Sequence, residues 1–186
     1  DKVRTPMNIL SAFGLGSGKT DVNDLYKVIV TQARSPDFYT VLGVPDTVNG
    51  RYDVIMLYAY FVMKRLKEIG PDASSTSQAL FDCMFADMDK NLREMGIGDL
   101  SVGKKIKSMA TAFYGRIKAY DEGFEADREH LANSLRRNMY AHSKPTDSQV
   151  SAMTDLLSDQ VRKASSWTLD QIKTGAIKFV TLNEND

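Results

Sequence analysis

Apolar residues along this chain recur at the spacing of helices. At about 100° per residue, Phe81, Met84, Phe85, Met88, Leu92 and Met95 share one arc, which predicts a helix with a core-facing stripe. Gly96 and Gly98 interrupt it, with Asp99 or Ser101 as caps for a second helix carrying Val102, Ile106, Met109, Phe113, Ile117 and Tyr120 inward. The two make a hairpin with more charge than folding needs: Asp82, Asp89 and Arg93 on one flank, Asp87 and Glu94 on the other. Asp89 precedes Arg93 by four residues, in the favourable order for a helical ion pair. Arg116 borders the second stripe and needs a carboxylate, with Asp87 or Glu94 the nearest by topology.

The same pattern organises the rest. A helix is predicted from Val22 to Arg34 with Asp21 as cap, closed by Ser35 and Pro36, then a short helix over Asp37 to Leu42. Pro45 fixes a turn in which Asp46 or Thr47 caps the next helix, Arg51 to Ile69. Within it, Val54 to Met63 is apolar on every side, which suits the central helix of a bundle; were one face exposed, Tyr58 and Tyr60 would be interface residues. The run is about half the length of a membrane span. A polar loop is expected from Gly70 to Ser77, a helix from Asp127 to Ala141, and one long or kinked helix from Asp147 to Thr174. Only Ile177 to Leu182 could be extended. The expectation is an all-α, single-domain helical bundle of six or seven helices over 21–176. A flexible segment, 1–20, precedes it and a tail, 177–186, follows. Met7 is a candidate native start, with Asp1 to Pro6 then a vector-derived leader.

Composition narrows the chemistry. The 186 residues carry 24 basic and 24 acidic side chains, so no global field favours DNA. The single Cys83 excludes an intramolecular disulfide. No secretory signal precedes the glycine-rich stretch Gly14 to Gly18. GSGKT at Gly16 to Thr20 lacks the first glycine of a phosphate-binding loop, since Phe13 stands there, and no parallel sheet surrounds it. Asp87, Asp89 and Asn91 imitate the start of a calcium loop, yet Leu92 and Gly98 replace its glycine and closing glutamate, and on a helix the two aspartates diverge. His130 and His142 have no metal-site spacing, and no catalytic set or cofactor motif is visible. Lys104, Lys105 and Lys107 crowd a helix start, where they oppose the macrodipole. With Lys118, Arg136 and Arg137 they form either a solvated face or a contact for anionic lipid, ribosomal RNA or an acidic protein.

The hairpin also carries a resemblance. FDxMFxDMDxxLREMGxGDLxVxK, followed by AFYGRxxAYD, is similar to the ubiquinol-cytochrome c chaperone family, as are LYKVIVTQARSPDFYTVLGVPDTVNGRYD from Leu25 to Asp53 and LRRNMY from Leu135 to Tyr140. The resemblance implies a non-enzymatic chaperone for assembly of the cytochrome bc1 complex, without cofactor, holding newly made cytochrome b or an early bc1 intermediate. Its place would be the cytoplasm or the inner-membrane surface of a bacterium, or a mitochondrion, with the membrane surface or ribosome as further contacts. The compact length and lack of a transit segment favour the bacterial setting. The partner-binding residues it suggests are Tyr39, Asp46, Arg51, Asp87, Arg93, Glu94, Lys104, Tyr114, Arg116, Arg136 and Arg137. For Asp87, Glu94 and Arg116 an internal ion-pair network is the competing role. The alternative class is an α-helical metal-dependent enzyme, with Asp82, Asp87 and Asp89 recruiting magnesium, or a carrier for an isoprenoid or quinone-type ligand.

Overall fold

The apolar run at the middle of the sequence becomes the axis of the molecule. In the computed structural model, which describes residues 20–182, Val54 to Val62 are buried without a break inside α3, Val48–Ile69. Tyr58 and Tyr60 are enclosed, so neither is an interface residue. The glycine-rich lead-in, the GSGKT stretch apart from Thr20, the Met7 start and the 1–20 segment lie outside the described residues.

Around α3 pack α1 (Asn23–Ala33), α4 (Ser74–Glu94), α7 (Asp147–Ala164) and α8 (Leu169–Thr174). Between α1 and α3 runs the short α2 (Asp37–Thr40), and α5 (Asp99–Ala126) pairs with α4 and with α6 (Arg128–Arg137). The chain is all-α, with no strand among the described residues.

Local chemistry explains most helix ends. The Asp21 carboxylate accepts the Asn23 N–H at 2.9 Å, while Val22 occupies the cap position itself. Of the two caps offered for α3, Thr47 serves, its hydroxyl accepting the Gly50 N–H at 3.0 Å. Asp127 caps α6 through the His130 N–H, and Thr146–Gln149 and Thr168–Gln171 form capping boxes on α7 and α8.

Several boundaries differ from the sequence expectation. The polar loop after Gly70 is a single 3₁₀ turn, Pro71–Ala73, and Ser74 to Ser77 already belong to α4, because Thr76 lies inside the core. Neither Asp99 nor Ser101 caps α5; Gly98 holds that position without a side-chain bond, and Asp99 turns back to Arg93. Met95 leaves the apolar stripe for solvent, since Gly96, at φ +85°, ends the helix immediately after it. The helix expected to Ala141 stops at Arg137, and 147–174 divides at Ser165–Thr168, where Trp167 enters the core.

Residues 177–182, expected as a tail, lie against the bundle. Ile177 and Phe179 are buried, and the Phe179 ring meets Tyr58 at 4.7 Å and Trp167 at 5.4 Å, both edge-on. The backbone is held by Gln160, which accepts the Val180 N–H at 2.8 Å, and by Lys163, which donates to the Phe179 carbonyl at 3.2 Å. Alternate residues thus face inward, which no helical periodicity reveals.

Candidate functional site

The end of the bundle where α1 stops and α3 begins is not closed over. Pro36 and Pro45 bracket α2 between two turns within a short stretch of chain, and residues of α1, α2, α3 and α4 surround the space there. The result is an open cleft of about 320 Å³. Its floor is Val30, Ala33, Tyr52 and Ile55, and its rim is Arg34, Pro36, Tyr39, Thr40, Asp46, Arg51, Asp87 and Asn91.

The rim is assembled by short-range bonds. Tyr39 donates its hydroxyl to the Ala33 carbonyl at 2.9 Å, which pins α2 to the end of α1. Over its ring, 5.8 Å from the centroid, lies the Arg51 guanidinium, whose Nε donates to Asp46 at 2.8 Å. The cation is held by an aromatic face and one carboxylate, a geometry that suits arginine and not lysine. That hydrogen bond holds the Asp46 carboxyl below its usual range, while burial raises the Tyr39 hydroxyl. The terminal nitrogens of Arg51 keep donor capacity toward the cleft mouth, because the Nε bond uses one of five N–H groups.

On the opposite wall Asp87 accepts the Tyr26 hydroxyl at 2.8 Å. Burial, then this carboxylate, pushes the tyrosine far above its ordinary range, so Tyr26 stays a neutral donor. Asp87 therefore presents a carboxylate fixed from behind by α1. The cleft combines an apolar floor with anchored charges of both signs.

Of the eleven residues singled out in the sequence, Tyr39, Asp46, Arg51 and Asp87 meet in this cleft. The others are elsewhere. Arg93 binds Asp89 at 2.6 Å and also Asp99, and Glu94 lies 3.8 Å from Lys90 on the same helix. Lys104 is exposed on α5, and Tyr114 is half exposed, stacked on Phe81 at 5.6 Å. Arg136 pairs with Asp147 at 2.6 Å, and Arg137 faces solvent.

Arg116 does not reach Asp87 or Glu94. Its partner is Asp53 on α3, at 2.5 Å, with both side chains less than one-fifth exposed at 17% and 18%. Asp87 is already engaged with α1, and Glu94 lies at the far end of its helix, so the central helix supplies the counter-ion. Burial wins over the arginine at Asp53 and raises its carboxyl above the ordinary value.

The carboxylates proposed for magnesium diverge: Asp82 accepts from Gln78, Asp87 from Tyr26, and Asp89 from Arg93. Among the described residues no group of three or more His, Cys, Asp or Glu side chains converges. Sequence reasoning missed Arg34, Asn91 and Asp53. Arg34 and Asp53 lie inside the very stretch that carries the resemblance, and Asp53 was recoverable as a charge bordering an otherwise buried helix.

The fold defines an all-α helical domain with the open cleft described above. Comparison with known proteins sharpens this: the sequence profile described as Ubiquinol-cytochrome C chaperone matches residues 40–179, and the chain belongs to that family. The match extends past Tyr140, where the short motifs end. The Xenopus laevis ubiquinol-cytochrome-c reductase complex assembly factor 1 is 28% identical over 167 residues, covering 87% of this chain and 82% of the frog protein. The mouse protein of the same name is 23% identical over 87% of this chain, which spans 55% of its length. The mitochondrial protein CBP3 of Saccharomyces cerevisiae is 26% identical over 77% of this chain and 44% of its own. The crystal structure of the Cbp3 homolog from Brucella abortus matches with a TM-score of 0.77 at 31% identity, over 89% of this chain and 91% of that one.

Proposed function

We propose that this chain is a non-enzymatic assembly chaperone for the ubiquinol-cytochrome c reductase complex, and that it holds newly made cytochrome b, or an early subcomplex containing it, at the cleft between α1 and α4. The observation that carries the reading is the family match over 40–179, within which relatives are named as assembly factors of that complex. A client segment would place an apolar side chain on Val30 and Ile55 and offer a carbonyl or carboxylate to Arg51 and Arg34. Asp46 and Asp87 would reject segments that bring a second acidic group. Arg93, Glu94, Lys104, Tyr114, Arg136 and Arg137 belong to a wider contact surface in this reading, while Arg116 serves the fold. No helix among the described residues is long and apolar enough to cross a membrane, and a peripheral place at the inner membrane belongs to the proposal.

The test is the reduced-minus-oxidised haem spectrum of membranes from a strain lacking the gene, complemented with wild type or with Arg51→Glu. The deletion should lose the cytochrome b and c1 signals, wild type should restore them, and Arg51→Glu should fail while its purified protein melts like wild type. Normal b and c1 signals in the deletion strain, under growth that demands the complex, would sink the assignment. Full rescue by Arg51→Glu would keep the assembly role and remove the cleft from it.

A further inference from the structure

Of the five large apolar side chains exposed among the described residues, Tyr114 lies midway along α5 and the other four gather at two connections. Val41, Val48, Met95 and Leu100 are exposed and lie in or beside the two connections, α2–α3 and α4–α5, that flank the cleft. Asp46 of the first connection lines the cleft with Thr40 and Arg51 on the helices either side of it, and Asn91, one turn before Met95, lines it from the end of α4. Leu100 is 87% exposed and Met95 55%, at the tip of a hairpin whose glycines Gly96 and Gly98 leave open space around them. Nothing in the packing of the bundle calls for leucine or methionine there, and their hydration is a cost to the isolated domain.

A cluster of like charge lies beside these side chains. Lys104, Lys105 and Lys107 follow in the second and third turns of α5, close together and of one sign. Among the described residues no carboxylate lies within ion-pair distance of any of them. The acids of the tip are already taken, Glu94 by Lys90 and both Asp89 and Asp99 by Arg93. What remains toward solvent is aliphatic prongs with unpaired ammonium groups just behind them.

We infer that the α4–α5 tip is a docking point for an anionic lipid bilayer, with Leu100 and Met95 entering between headgroups and Lys104, Lys105 and Lys107 meeting lipid phosphates. An anionic interface answers both features at once, taking the apolar prongs out of water and supplying counter-charge to the lysines. RNA would satisfy only the lysines, since single-stranded RNA is held by stacking on aromatic or arginine planes and the tip offers aliphatic side chains. Docked in this way, the mouth of the cleft opens beside the headgroup layer, where a segment leaving the bilayer comes within its reach. The inference does not depend on the bc1 reading.

Flotation of the purified chain with vesicles tests it, using phosphatidylcholine alone and phosphatidylcholine mixed with phosphatidylglycerol. Binding to the anionic vesicles only, decreasing with salt, is expected. Replacing all three lysines by glutamine should weaken it on the order of a hundredfold, and Leu100→Asn roughly tenfold. These positions are on the surface, so melting curves of the variants should overlay wild type. Leu100→Trp should show a blue-shifted emission with anionic vesicles. Absence of vesicle binding, or binding indifferent to Leu100→Asn, overturns the inference, as does lysine-dependent binding to an RNA oligonucleotide that exceeds binding to the vesicles. Vesicle binding as described beside a normal haem spectrum in the deletion strain would uphold the docking point while removing the bc1 role.

Discussion

Replacing Gly50 by alanine, normally a favourable change inside a helix, is expected to damage this protein. A methyl group built there would lie 1.9 Å from the Pro45 carbonyl oxygen and 3.0 Å from its carbon. That oxygen cannot move freely, because it accepts the Thr47 N–H at 2.8 Å and belongs to a proline whose ring fixes the turn. Relief would pull Thr47 away from the Gly50 N–H that it caps. Overpacking against backbone costs about 2–3 kcal/mol, the lost cap adds about 1 kcal/mol, and the better helix propensity of alanine returns about 1 kcal/mol. The net is about 2–3 kcal/mol, or roughly 5–10 °C in Tm for a domain of this size. Thermal melting by circular dichroism reads it directly, with Gly115→Ala as the control. Gly115 sits on the open side of α5 with nothing within 4 Å of an added methyl, so that variant should gain about 0.5–1 kcal/mol. A Gly50→Ala protein as stable as Gly115→Ala would refute the packing assigned to the α2–α3 turn, and with it the position of Asp46 and Arg51.

Arg116→Ala leaves the largely buried Asp53 without its counter-ion, which should cost about 2–4 kcal/mol; the double variant Asp53→Asn/Arg116→Met should recover much of it in urea unfolding, and failure to do so would show that Arg116 acts through something other than this pair. Asp127 is held below its usual carboxylate range, chiefly by the His130 N–H. Its contribution is therefore complete above the pKa of the unfolded chain and disappears as pH falls through the lower folded value. Acid unfolding of Asp127→Asn, in which the cap survives protonation, should be less steep in that window, and identical curves would exclude the cap as a contributor.

The sequence disclosed what periodicity encodes. Val54 to Met63 announced the central helix, and the hairpin stripes were correct through Leu92 and from Val102. Met95 was misjudged because the helix ends there, and a stripe predicts inwardness only while the helix lasts. Asp53–Arg116 was invisible because the pair spans 63 positions and the two helices approach only in the finished bundle. The burial of Phe179 was hidden for the opposite reason, since a short extended segment has too few residues to show a period. Of the cleft, the charged and aromatic rim was legible through family likeness, but its existence was not. A concavity is a relation among four helices, and no window of sequence contains it.

The seat of Phe179 bears on how the chain reaches its native state. The Gln32 amide donates to the Val180 carbonyl at 3.4 Å across 148 positions, and the Phe179 ring fills the space beside Tyr58 that α1 and α3 leave uncovered. During synthesis, the first three helices can assemble long before the segment that completes their core has been made. Until then Tyr58 lacks the ring that packs edge-on against it in the finished fold. The segment around Phe179, made after the helices it covers, is thus the piece that closes the aromatic core.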